Sequence, residues 1–297
     1  MAGAPAGLRR REAMIEGTCL CGALRYEIDG PLTSMMNCHC SMCRKQHGAA
    51  FATYAVAPAS GFRWIAGEDE AIRYQSSAQG SRAFCRRCGS VAPSVMPSMG
   101  IVFAPAGNLR GELGRHPEGH IFVGSKAPWH AITDRLPQHE VYPPGFPAEG
   151  VPRPQALPRE GVTEGSCLCG KVAYEIRGEP LRMMNCHCER CRLGRSAAHA
   201  TNVFYKVDAF RFTRGESEVR EYKVPDAKFH AVAFCSHCGG KVPRVSAERG
   251  IVVVPAGSLD TDPGIRPMAH IFVANKAPWF DITDTLPQFP QMPPAPG

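Results

Sequence analysis

The hydrophobic positions of this chain fall into short runs. ALRYEI at 23–28 and KVAYEI at 171–176 read as strands, and FRW at 62–64 and FRF at 210–212 lead into glycine-containing turns. IVFA, IVVV and two copies of HIFV are brief apolar runs bounded by glycine or proline. Only the stretches after two Cys-His-Cys motifs have room for a helix. The pattern predicts a mainly β, loop-rich fold. The longest apolar run, 251–256, falls far short of the roughly 18 residues that a membrane span needs, so no transmembrane helix and no membrane partner are expected.

These patterns occur twice. Residues 17–44 align with 165–192 at a constant offset of 148, and 17 of the 28 paired positions are identical, far beyond chance. Cys19, Cys21, Cys38, Cys40, Cys43, Cys85 and Cys88 recur as Cys167, Cys169, Cys186, Cys188, Cys191, Cys235 and Cys238. Past Cys43 the offset grows to 150, which places two extra residues near 224–228. A segment with six prolines, VYPPGFPAEGVPRPQALPRE, separates the copies and can sustain neither a helix nor a central strand. The expected organisation is a first domain at 13–141, a Pro-rich linker at 142–160 and a second domain at 161–291, possible partners in an intramolecular pseudo-dimer.

Composition fits two soluble domains: 297 residues, 44% hydrophobic and 21% charged. The N-terminal arginines precede no apolar segment of the kind a secretory signal needs, so a cytoplasmic location is expected. Thiols stay reduced there, and 14 cysteines then point to metal rather than to disulfides. The formal charge of +7 is a weak hint of nucleic acid. Metal-bound thiolates would bring it close to neutral, and no Lys/Arg run exceeds three residues, Arg9 to Arg11, so a nucleic-acid partner is not expected.

The seven cysteines of a copy sort into CxC, CHCxxC and CxxCG. A closed structural zinc takes four ligands, and a catalytic zinc keeps three from protein with one position open. Seven divides as four plus three, CxC joining CxxCG and CHCxxC standing alone. Alternate residues of a strand face one way, so Cys19 and Cys21 can meet one ion, and Gly89 or Gly239 permits the tight turn after CxxC. Two zinc ions per domain and four per chain follow. For the fourth position at the three-Cys site, His39 and His187 are flanked on both sides by ligands, which disfavours them. His120 and His270 are the better remote candidates, and an open position is the preferred reading.

The ordered set CxCG, MNCHCxxCR, FCxxCG, then SKAPW or NKAPW followed by DxLPQ, resembles the glutathione-dependent formaldehyde-activating enzyme family, also known from centromere protein V. The resemblance covers both copies. It implies a mainly β, barrel-like zinc domain shared with a Rab-associated zinc protein and translationally controlled tumour protein. By the same resemblance, Cys19, Cys21, Cys85 and Cys88, with Cys167, Cys169, Cys235 and Cys238, match structural zinc ligands. Cys38, Cys40 and Cys43, with Cys186, Cys188 and Cys191, match the catalytic or substrate-linked zinc.

Zinc with three thiolates carries a net negative charge and is a weak Lewis acid. Ionising a bound water requires a shift of about nine pKa units, a thiol only roughly one or two. Such a site suits a thiol that adds to an aldehyde carbon. The resemblance implies that reaction, S-(hydroxymethyl)glutathione formation by a carbon–sulfur lyase. Glutathione is acidic, so Arg44, Arg192, Lys126 and Lys276 are the candidate cofactor-binding cations. Trp129 and Trp279 read as core anchors. Lys45 and Gly48 become Leu193 and Ser196 in the second copy, which puts the first copy forward as the working one. Two rivals remain: a non-enzymatic zinc module for a protein or RNA partner, and a redox enzyme using CxxC.

Overall fold

A computed structural model describes residues 14–78, 80–145 and 159–293. Most of the expected linker at 142–160, and Arg9 to Arg11, lie outside them. The chain is mainly β, with two copies of one architecture in tandem. Each copy carries a six-stranded sheet. In the first its order is Gln138–His139, His120–Ile121, Ser34–Cys38, Ala52–Pro58, Ile101–Pro105 and Ser94–Met96. The second repeats this with Gln288–Phe289, His270–Ile271, Arg182–Cys186, Ala200–Lys206, Ile251–Pro255 and Arg244–Ser246. Among the described residues the strands form open sheets and no hydrogen-bonded ring. No described helix is long and apolar enough to cross a membrane.

The short apolar runs become strands because each offers one buried face; Ile101–Pro105 buries Val102 and Ala104 against the central strand. The parallel pairing of His120 with Asn37 and of Ile121 with Cys38 lays HIFV beside MNC, with the same register in the second copy. The helices form where room was expected: α1 over Ser41–His47 and α2 over Glu189–Arg195. Each is capped by a cysteine sulfur, Cys40 Sγ accepting from Cys43 N and Cys188 Sγ from Cys191 N.

One hydrophobic core runs through both copies, with Tyr26, Met35 and Trp129 from the first and Tyr174, Met183 and Trp279 from the second. Both tryptophans are buried, as expected of core anchors. The copies dock by exchange: the 3-10 turn Ala106–Asn108 of the first packs on α2, and Ala256–Ser258 of the second packs on α1. Backbone meets backbone there. A Cβ on Gly107 would lie 2.1 Å from Ala197 N, and one on Gly257 would lie 2.4 Å from both Ala49 N and Arg44 O, so neither position admits a side chain. Polar bonds seal the contact. Ser90 Oγ donates to Leu193 O at 2.9 Å, Val91 N to Ser196 Oγ at 2.8 Å and Lys241 N to Lys45 O at 3.0 Å.

Gly257→Ala is expected to cost about 1–3 kcal/mol, because the methyl group has only backbone to displace. Urea unfolding of the full chain measures it. An unchanged midpoint would mean that the copies do not meet at this turn.

Candidate metal centres

All fourteen cysteines are free thiols, and their sulfurs gather in four groups, each with its atoms within 4.8 Å of one another. Two groups have four sulfurs: Cys19, Cys21, Cys85 and Cys88, and Cys167, Cys169, Cys235 and Cys238. The first pair comes from the turn after an edge strand. The second comes from the strand ending at Cys85 or Cys235 and the turn beyond it, where Gly89 and Gly239 adopt φ of +70° and +68°. The sulfurs of Cys19 and Cys21 lie 3.5 Å apart, and those of Cys169 and Cys235 lie 3.9 Å apart. A tetrahedron with metal–sulfur bonds of about 2.3 Å has edges of about 3.8 Å, so the spacing fits one ion per group. Backbone amides support the sulfurs, Leu24 N reaching Cys19 Sγ and Val172 N reaching Cys167 Sγ, both at 3.3 Å.

The other two groups have three sulfurs each: Cys38, Cys40 and Cys43 beside α1, and Cys186, Cys188 and Cys191 beside α2. A strand end supplies the first, the helix N-cap the second and the first helical turn the third. No histidine completes either set. His39 points away from its neighbouring sulfurs' group, its Nε2 lying 2.8 Å from His120 Nδ1, while His120 Nε2 lies 3.0 Å from the Asp134 carboxylate. A carboxylate only accepts, so His120 Nε2 is the donor to Asp134; with neutral His120, its Nδ1 then accepts from His39. His120 has no nitrogen left for a metal, which removes the better remote candidate for the fourth position. His187, His270 and Asp284 repeat the chain, at 2.8 Å and 2.9 Å, and remove His270 as a candidate likewise. Such a chain anchors the loop between two candidate ligands from behind.

Comparison with known proteins bears on these groups. The profile of the glutathione-dependent formaldehyde-activating enzyme family matches residues 14–125 and 162–275, one match per copy. The chain belongs to this family. A Halomonas elongata protein named as a candidate glutathione-dependent formaldehyde-activating enzyme is 30% identical over 162 residues, covering 51% of this chain and 99% of that protein. A crystal structure of a Rhodobacter sphaeroides protein is 30% identical and covers 34% of this chain and 97% of that one, with a TM-score of 0.28.

In this family member the expected cofactor-binding cations are placed differently from one another. Arg44 is 1% exposed, and its Nε and Nη1 have no hydrogen-bond partner. Arg192 and Lys276 come together in a cavity of about 310 Å³ that also takes Leu109 and Arg110 from the first copy. Lys126 Nζ donates to His130 O at 2.6 Å, and Lys276 Nζ donates to Phe280 O, so each fastens its own KAPW loop. Lys45 and Gly48 sit at the junction between the copies. Lys45 Nζ pairs with Asp260 at 2.5 Å and donates to Ser166 Oγ at 2.6 Å. Gly48 takes φ of +63°, and a Cβ on it would meet Lys241 Cβ at 2.7 Å. Its counterpart Ser196 accepts the same left-handed conformation at φ of +54°, held by its bond to Val91 N.

Some residues of the sites carried no signal that singled them out. Asp134 and Asp284 stand in the recurring DxLPQ, and that recurrence was the available signal. A cavity of about 270 Å³ opens between the copies, lined by Trp129, His130 and Phe51 with His199, Phe280 and Arg266. His47, the fourth residue after Cys43, is buried with Nδ1 donating to the carbonyls of Arg195 and Ser196, at 2.9 and 3.0 Å, and with Tyr54 Oη donating to Nε2 at 3.0 Å. Burial pushes its imidazole down to about 3, and does the same to His130.

Both imidazoles are neutral in the fold and take up a proton on unfolding once the pH is below their ordinary 6.5. The folded values are the lower ones, so this contribution to stability is complete above pH 6.5 and is lost as pH falls toward 3. Urea titrations at pH 7 and pH 5 should show that His47→Asn, whose amide still donates to the carbonyls, reduces proton uptake on unfolding by about one. Identical pH dependence in the variant and the parent chain would show that His47 is not held neutral.

Proposed function

We propose that the chain is a zinc-dependent carbon–sulfur lyase that adds glutathione or a similar small thiol to formaldehyde or a related aldehyde. The observation that carries the reading is the pair of three-sulfur groups: three thiolates leave one tetrahedral position for a ligand from outside the protein. The family match and the name of the Halomonas relative support the thiol and the aldehyde. The four-sulfur groups, with every position filled by protein, are structural in this reading. Fourteen reduced thiols suit a cytoplasmic protein.

Bound zinc would hold the cofactor's sulfur as a thiolate near neutral pH. Cys38, Cys40 and Cys43, or Cys186, Cys188 and Cys191, would hold the ion. The sulfur of that thiol would add to the carbonyl carbon: a carbon–sulfur bond would form as the carbonyl π pair moved to oxygen, and that oxygen would take the proton the thiol gave up. No redox partner is needed, and the product is a hemithioacetal. The chain's part is to keep the three sulfurs in place. The His39–His120–Asp134 and His187–His270–Asp284 chains brace the loops from behind, and the cysteine caps fix the start of each helix. Arg192 and Lys276 line a cavity at the junction of the copies, with Arg110 from the first and Glu189 from the second, where the carboxylates of an acidic tripeptide can meet cations.

Metal analysis of protein purified without chelator should give about four zinc ions per chain, one for each sulfur group. Cys85→Ser should abolish cooperative melting of its copy, because metal bound in a closed site is part of the folding free energy. Cys38→Ser should leave a folded chain with impaired thiol binding. A content of two ions, or equal destabilisation by both changes, would end the assignment of the three-sulfur groups as open sites.

A further inference from the structure

The two three-sulfur centres differ in one direct contact. In the first copy Arg82 places Nη1 and Nη2 each 3.5 Å from Cys43 Sγ, and Nη1 also donates to Gln46 Oε1 at 3.0 Å. The residue sits in the strand Ser81–Cys85, three positions before a sulfur of the four-sulfur group, so that strand spans from one centre to the other. Its Nε is fully enclosed and has no partner, which leaves the two outer nitrogens as the working end of the fork. An arginine guanidinium stays protonated in proteins, so the fork brings a full positive charge to Cys43.

In the second copy Val232 occupies this position and Gly194 stands for Gln46. The exchange is paired: a Cβ on Gly194 would lie 2.9 Å from Val232 Cγ2, so the valine fills the room left by the missing glutamine. Arg195 Nη2 donates to Asn202 Oδ1 at 2.9 Å, and its Nη1 has no hydrogen-bond partner. Among the described residues no cationic side chain donates to a sulfur of the second centre.

Three thiolates and a divalent ion sum to one negative charge, and a thiolate from a cofactor adds another. A guanidinium on one of the sulfurs offsets that charge and draws electron density from the sulfur through charge-assisted N–H···S bonds. We propose that Arg82 makes the first centre the one that takes the thiol cofactor as an anion, while the second, lacking this contact, binds it weakly. The inference rests on the zinc–thiol reading above and assigns the reaction to the first copy through a residue different from Lys45 or Gly48.

Cobalt(II) replaces zinc in the full chain, and glutathione is titrated while sulfur-to-cobalt charge-transfer absorption is followed. Cys186→Ser leaves the first centre as the open one, and Cys38→Ser leaves the second. The first is expected to bind glutathione about 10–100-fold more tightly than the second, the usual effect of a group one shell beyond the ligands. Arg82→Val in the Cys186→Ser chain should remove that advantage with cobalt content unchanged, and Val232→Arg in the Cys38→Ser chain should recover part of it. Arg82→Lys, which keeps the charge without the fork, should fall between, and it decides the matter if the valine variant loses its cobalt. Equal affinity at the two centres, or unchanged affinity in the Arg82 variants, overturns the role of Arg82. Absence of any glutathione response in the fully loaded parent chain overturns the zinc–thiol reading itself.

Discussion

Two glycines let the backbones of the two copies meet, and much of the remaining architecture depends on what they allow. Gly107 and Gly257 bring the 3-10 turn of each copy against the backbone of the other copy's helix, near enough that hydrogen is the only possible substituent. The helices involved are the ones whose first turns carry Cys43 and Cys191. Pressing a turn onto the far end of such a helix restricts how the near end can move, so the contact between copies and the geometry of the three sulfurs form one mechanical unit. The junction is also where buried charge accumulates. Lys45 finds Asp260, Lys241 is enclosed beside Gly89 and Gly239 with its ammonium pushed down to about 7 by burial and by Arg195, and His47 is kept neutral by burial and by the charges of Lys241 and Arg82.

What could be read from the sequence was whatever is written twice. Cysteine spacing recurs, and with only three spacings per copy the sulfurs had few ways to group. The short apolar runs recur too, and each is too brief for anything but a strand. The stretch after Cys-His-Cys was the exception, and there both helices form. Contacts that join the copies are hard to read for the same reason. Lys45 and Gly48 differ from Leu193 and Ser196 in a comparison of copies, and difference near a candidate active site invites a functional explanation. Their neighbours, Asp260, Ser166 and Lys241, lie more than a hundred positions away along the chain, and no periodicity connects them.

His120 illustrates a second limit. A histidine near thiolates is a reasonable ligand on composition, but the imidazole has only two nitrogens, and both are taken once HIFV pairs in parallel with MNC and DxLPQ folds back over it. Only the register of that pairing, which short strands do not announce, tells a ligand from a brace. Arg82 was hidden in the opposite way. It lies in a strand whose recurring feature is the cysteine three residues on, and the arginine itself does not recur.

The cavity between the copies shows what fusion in one chain makes possible. Phe51 of the first copy corresponds to His199 of the second, and His130 to Phe280, so each kind of position holds one phenylalanine and one histidine. They meet across the junction, Phe51 against His199 at 5.8 Å and against Phe280 at 6.2 Å between ring centres. In an assembly of two identical subunits any substitution enters twice, and a change at the axis confronts its own image. Here each enters once, so shape and polarity can be adjusted on one side alone. Because the halves share a backbone, their meeting is also set by the tether and not by how much protein is present. Dilution that would part a dimer leaves this junction assembled.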